Sequence, residues 1–316
     1  MSDIKIPLSV PHDKKASYKR NYQALTAHSG RLFLIAGDQK VEHLNQDFFG
    51  AGISSEDANP EHLFKIAQAS RGGVLAVPLG LLSRYGESYR HLPYIVKING
   101  KTNLGLAEKN SAKCWWPVEE IVKFKKQSGL NIVGVGYTLY LGGQFEAKML
   151  AQAAQAIWAA HQNGLTAILW VYPRGKNIKE EEIATIAGGA GVAACLDADF
   201  VKVKYPYALK DKKASAKKFQ EVTSAAGRTK VICVGGQKQA VKEILSHLEN
   251  QIKIGKTNGL AMGRNLHQRS LEEAARLAAA IGEIIFHNRN AQEALAVYEN
   301  KKPAKKAAPA RFLGLF

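Results

Sequence analysis

Eight short apolar runs, rich in β-branched and aromatic residues, recur along the chain at residues 32–37, 74–77, 94–98, 132–137, 167–172, 200–205, 230–234 and 260–263. Between them lie longer segments, at 61–70, 118–127, 145–162, 179–196, 214–225, 239–248 and 271–286, whose apolar residues recur near the 3.6-residue helical period. A strand that is always followed by a helix pairs in parallel with the next strand, because a parallel connection needs a crossover. Eight such units are the number that closes on itself, so the expected fold is α/β, a (β/α)8 TIM barrel in a single domain. At 316 residues the chain has room for that barrel and short extensions. The expected organisation is a polar lead-in at 1–30 with one helix near 15–27, the barrel at 31–290, and a basic tail at 291–316.

The barrel strands are covered by helices on one side and fill the interior on the other, so a charged residue within one needs a reason. Residues 200–206, Phe-Val-Lys-Val-Lys-Tyr-Pro, carry two. Side chains alternate along a strand, which points Lys202 and Lys204 to the same face. An amine taken from water loses basicity, and a neighbouring ammonium lowers it further, which leaves a nucleophile able to condense with a carbonyl. The alternative is a solvated pair on a surface strand.

What stands at the ends of the other strands favours the first reading, since active sites of this fold gather at the C-terminal rim. Trp170, Tyr172 and Arg174 follow at alternate positions and share one strand face. Asp38 closes the apolar run at 32–37, and Lys97, Asn99 and Tyr137 fall at the ends of the third and fourth runs. Gly235-Gly236 and Gly263-Arg264 follow the seventh and eighth runs, where loop amides of such barrels bind phosphate and where an arginine adds a bidentate contact.

Other chemistries fit less well. The stretch Gly189-Ala190-Gly191-Val192-Ala193-Ala194 matches a loose dinucleotide pattern, but it lies in a helix that precedes a strand, the reverse of the order such a turn needs. Among nine histidines and three widely spaced cysteines no zinc-binding spacing occurs, so no metal or other cofactor is expected. The cysteines suit reduced thiols. No apolar run approaches about 18 residues and the N-terminus has no signal-peptide core, so a membrane partner is not expected and the protein reads as cytosolic. The net charge of +17 asks for an anionic partner, a phosphorylated small molecule or nucleic acid. Five of the positive charges, Lys301, Lys302, Lys305, Lys306 and Arg311, lie in the last sixteen residues with no acid among them, which reads as a solvating tail.

Taken in order, Ile98-Asn99-Gly100-Lys101-Thr102, Gly136-Tyr137-Thr138-Leu139-Tyr140, Trp170 to Gly175, Ala198 to Tyr205 and Gly263-Arg264-Asn265 resemble the archaeal-type class I fructose-1,6-bisphosphate aldolases, the DhnA group of the DeoC-like Schiff-base aldolases. The resemblance spans roughly residues 31–288. It implies Lys202 as the Schiff-base residue, Tyr172 as the proton-transfer residue and Asp38 as the carboxylate near the reacting carbon. It further implies Trp170 and Arg174 as substrate-positioning groups, with Lys204 beside them. Gly235, Gly236, Gly263 and Arg264 would hold the phosphate of a sugar substrate, no metal would take part, and the chain would form a homo-oligomer. Where that family has Asp-His-Gly, this chain has Asp38-Gln39-Lys40, and Lys40 is placed to pair with Asp38 or to contact phosphate. Two alternatives stay open: a Schiff-base aldolase or transaldolase for another phosphorylated sugar, and a non-catalytic barrel that binds RNA or a protein partner.

Overall fold

The computed structural model describes residues 4–104, 110–206 and 211–300. Eight strands form a closed, all-parallel barrel: β1 (Leu32–Ala36), β2 (Val74–Pro78), β3 (Tyr94–Lys97), β4 (Ile132–Leu141), β5 (Thr166–Pro173), β6 (Phe200–Val203), β7 (Lys230–Val234) and β8 (Gly259–Met262). Each pairs with its neighbour in sequence, and β1 closes the ring on β8 through Leu32↔Gly259 and Leu34↔Ala261. The expected strands therefore all form. Nearly every strand residue is buried, because one face fills the barrel and the other is covered by helices.

Inside the barrel, Leu34, Ala76, Val133, Ile168, Phe200 and Ile232 pack into one apolar cluster. That cluster continues into a helix that precedes the first strand, Lys15–Leu25: Leu25 is fully buried and the Tyr22 ring packs, tilted, 5.9 Å from that of Phe200. The helix thus closes the end of the barrel opposite the rim, where Tyr18 donates to Asp199 and His161 binds the same carboxylate at 3.1 Å. Part of the expected lead-in is in this way integral to the core.

The expected tail also begins later than residue 291. Ala291–Tyr298 forms a helix with a reciprocal cap between Asn290 and Glu293, and buries Ala294 against the helices Leu271–Ile285 and Val241–Lys253. Residues 301–316 lie outside the described residues. Other departures are local. The helix expected at 214–225 breaks at Phe219 into Lys212–Lys218 and Gln220–Ala225, and the helix Leu79–Tyr85 was not anticipated. The glycine-rich stretch is helical, within Ile183–Cys195, and a side chain at Gly189 would meet Val171 at 3.0 Å, so these small residues let the helix sit close on β5. All three cysteines are free thiols, and no described helix is long and apolar enough to cross a membrane.

Candidate active site

The C-terminal rim encloses a cavity of about 210 Å3. Its wall includes most of the candidates the sequence singled out, Asp38, Trp170, Tyr172, Arg174, Lys202 and Lys204 from one side, Gly235, Gly236, Gly263 and Arg264 from the other, while Lys97, Asn99 and Tyr137 lie behind it. Residues scattered over 226 positions of the chain converge because each sits at or just past the end of its strand.

Lys202 is buried on β6, and its amine lies 5.1 Å from the centre of the Trp170 indole. Burial holds its basicity below that of an ordinary lysine; Asp38 and Glu42 act in the opposite sense, and Lys97 lowers it further. The cationic neighbour is thus Lys97 of β3, and not Lys204 as the alternation of the strand suggested. β6 ends at Val203, so Lys204 has left the strand, and its amine pairs with Glu180. Glu180 also binds Arg174 at 3.3 Å, which draws both cations together at the mouth.

Trp170 is 1% exposed, and its indole nitrogen has no hydrogen-bond partner among the described residues, which leaves one donor for a bound molecule. Tyr172 stands above it, with the Arg174 guanidinium 5.0 Å from its ring. Burial, then Glu42 and Asp38, push the Tyr172 phenol well above its usual range, and Arg174 offsets this only in part. Burial and the two carboxylates together outweigh the nearby guanidinium, and the phenol keeps its proton. Asp38 is buried, and its Oδ1 accepts no hydrogen bond among the described residues.

On the other side, Asn265 is fully buried and pins the loop after β7. Its amide donates to Gly235 O at 3.0 Å and Gln237 O at 2.8 Å, and its carbonyl accepts from Gln239 N at 2.8 Å. Gly236 takes a left-handed backbone (φ 68°) that turns this loop. Gly263 is bare for a different reason: a side chain there would lie 1.9 Å from Gln39 Oε1, so the Gln39 amide rests on it. That amide is held at 3.2 Å by His267, whose other nitrogen is 2.6 Å from Asp57. Arg264 faces Asp47 at 3.8 Å.

Lys40 does not pair with Asp38 and is not among the cavity-lining residues. Its amine lies 4.2 Å from the Phe48 ring and 3.5 Å from Ala58 O, away from Asp38, because Gln39–Glu42 forms one helical turn that sends successive side chains apart. The same turn brings in Glu42, which sequence reasoning missed. A lone glutamate in a loop carries no pattern, and only the turn sets it beside Asp38 on the cavity wall. Among the described residues no group of histidine, cysteine and acidic side chains could hold a metal ion.

A sequence model of the DeoC/LacD family aldolases matches residues 32–269. The chain belongs to this family. A relative from Methanocaldococcus jannaschii is 48% identical over 297 residues, 94% of each chain, and is named fructose-bisphosphate aldolase/6-deoxy-5-ketofructose 1-phosphate synthase. Among solved structures, a fructose-bisphosphate aldolase from Slackia heliotrinireducens superposes with a TM-score of 0.91 at 46% identity, over 95% of each chain. An archaeal fructose-1,6-bisphosphate aldolase with its catalytic lysine covalently bound to the carbinolamine intermediate superposes at 0.73 with 28% identity, covering 85% of this chain and 99% of that one.

Proposed function

We propose that this DeoC/LacD aldolase is a class I fructose-bisphosphate aldolase, which reversibly cleaves fructose 1,6-bisphosphate into dihydroxyacetone phosphate and glyceraldehyde 3-phosphate. The observation that carries this reading is the buried amine of Lys202, held short of ordinary basicity on the wall of a cavity that also presents Tyr172 and Asp38.

Lys202 Nζ donates its lone pair to the C2 carbonyl carbon, and a proton passes from nitrogen to oxygen to give the carbinolamine. Protonation of that hydroxyl and loss of water leave an iminium. Removal of the C4 hydroxyl proton then breaks the C3–C4 bond. Its electron pair moves to the iminium nitrogen, which acts as the sink, and glyceraldehyde 3-phosphate departs. Asp38, with an unpaired buried oxygen, is the group we assign to the hydroxyl protons. The enamine that remains needs a proton at C3, and a phenol held in its protonated form suits Tyr172 to supply it. Water then releases dihydroxyacetone phosphate and the free amine. The glycine loops with Arg264 would bind one phosphate, and the cations at the mouth, Arg174 and Lys204, would face the other; the binding energy positions C2 at the amine.

The test is borohydride reduction in the presence of dihydroxyacetone phosphate, followed by peptide mass spectrometry. An adduct on Lys202 is expected, and its absence would sink the proposal. The second activity in the name of the M. jannaschii relative favours one further reading, in which the same lysine builds a deoxy-keto sugar phosphate. Turnover of that substrate pair exceeding the cleavage rate would select it. The proposal includes a cytoplasmic setting and a homo-oligomer, the latter measurable by analytical ultracentrifugation.

A further inference from the structure

Two buried amines stand against one indole. Lys202 Nζ is 5.1 Å and Lys97 Nζ 5.6 Å from the centre of the Trp170 ring. The strand register makes this possible. Trp170 of β5 pairs with Lys202 of β6, and Lys97 of β3 pairs with Gly136 of β4. The indole lies across Gly136, where a side chain would come within 2.3 Å of two ring carbons.

Lys97 is 1% exposed and is not on the cavity wall, so it cannot touch substrate. Its ammonium donates to Asn99 O at 2.6 Å and Asn99 Oδ1 at 3.0 Å. Asn99 is itself locked, donating to Ala112 O at 3.1 Å and Thr138 O at 2.8 Å and accepting from Thr138 N at 2.7 Å. A rigid pair of neutral oxygens thus holds this amine inside the barrel; burial lowers its basicity, and Glu42, Asp38 and Cys114 act to keep the charge. Such burial is costly for a lysine, and an apolar residue would fill the space at less expense.

We propose that Lys97 is a positioning residue that keeps Lys202 a free amine, acting through its charge beside the Trp170 indole. The proposal rests on the Schiff-base reading of Lys202. The groups that face Lys202 are Asp38 after β1, Glu42 on the short helical turn, and Lys97; Tyr172 stands against the same two carboxylates. Burial does most to hold Lys202 free; both carboxylates favour its ammonium form, which cannot attack a carbonyl, and Lys97 is the charge that opposes them.

The experiment follows the rate of borohydride trapping of dihydroxyacetone phosphate on Lys202 against pH, in the full-length wild type and in Lys97→Met and Lys97→Gln. The glutamine keeps a donor for Asn99 and guards against loss of the fold, which melting curves monitor. In both variants the acidic limb of trapping moves to higher pH by about one unit, as expected on removing a like charge. Activity at neutral pH then falls roughly tenfold and recovers as the pH is raised. A folded Lys97→Gln protein with the limb unmoved, or with activity lost equally at every pH, overturns the proposal. No adduct on Lys202 even in the wild type overturns the Schiff-base reading first, and this proposal with it.

Discussion

Gly136→Ala separates packing from accident at the centre of the barrel. The added methyl would sit 2.3 Å from two carbons of the Trp170 ring and 3.2 Å from Ile95 Cγ2. Ordinary carbon contacts lie near 3.5–4.0 Å, so the ring must retreat by roughly 1 Å or more. Packed in the interior cluster, it can retreat only toward the cavity it lines, which would move it into the substrate's place. Overpacking of this kind costs about 1–3 kcal/mol, and with a flat ring rather than a flexible tip as the obstacle the upper end applies. For a chain of this size that lowers the melting temperature by about 4–5 °C. Because both amines rest on the displaced indole, kcat/KM should fall roughly 100-fold, the scale of a 1 Å misplacement. Calorimetry and steady-state cleavage assays measure the two effects. Gly80→Ala is the control: its helical site has nothing within 4 Å, and the change should leave stability within about 1 kcal/mol. A Gly136→Ala protein that melts and turns over like the wild type would refute the account of the indole as a wedged, shared surface.

Tyr172→Phe should lower kcat by about 10²–10⁴-fold while borohydride trapping on Lys202 persists, because the phenol is assigned to the proton at C3 and not to iminium formation. Asn265→Ala removes three bonds that pin the 235–239 loop; KM for the bisphosphate should rise roughly tenfold with a smaller change in kcat, read from saturation curves. His161 gives a pH-dependent stability. Burial alone would lower its basicity, but Asp199 and Asp197 prevail and raise it above the usual 6.5. The folded state therefore holds the proton more tightly than the unfolded chain. The resulting stabilisation is complete below pH 6.5 and is lost as the pH rises through the raised value, so melting temperatures should decline from pH 6.5 upward, and His161→Gln should flatten that slope.

The barrel was legible because its strands are apolar on both faces and its helices are not, a contrast strong enough to count eight units. The rim residues were legible for the same reason: Lys202, Tyr172 and Asp38 stand out against apolar runs. What failed was everything decided by a strand's last residue or by a single turn. Lys204 does share the cavity wall with Lys202, but the strand has ended at Val203 and its charge goes to Glu180 and not to the neighbouring amine. Lys97 looked like one more polar strand end, since nothing local marks a lysine whose partners come from Asn99 and whose neighbour lies on β5. Glu42 and Lys40 exchanged importance because one turn of helix, Gln39–Glu42, sets their directions. The helix at 291–298 was lost in the basic tail, although Asn290 with Glu293 three residues on is a start signal the sequence displays.

The plug helix Lys15–Leu25 is synthesised before any strand, yet its seat is made by residues such as Asp199, 181 positions after Tyr18. It must wait, exposed, until three quarters of the barrel has left the ribosome. Seating this helix thus means drawing a long loop shut, the kind of non-local closure that slows folding. A chaperone that shields Tyr22 and Leu25 during that interval should raise the yield of native protein more than one that acts on the finished barrel.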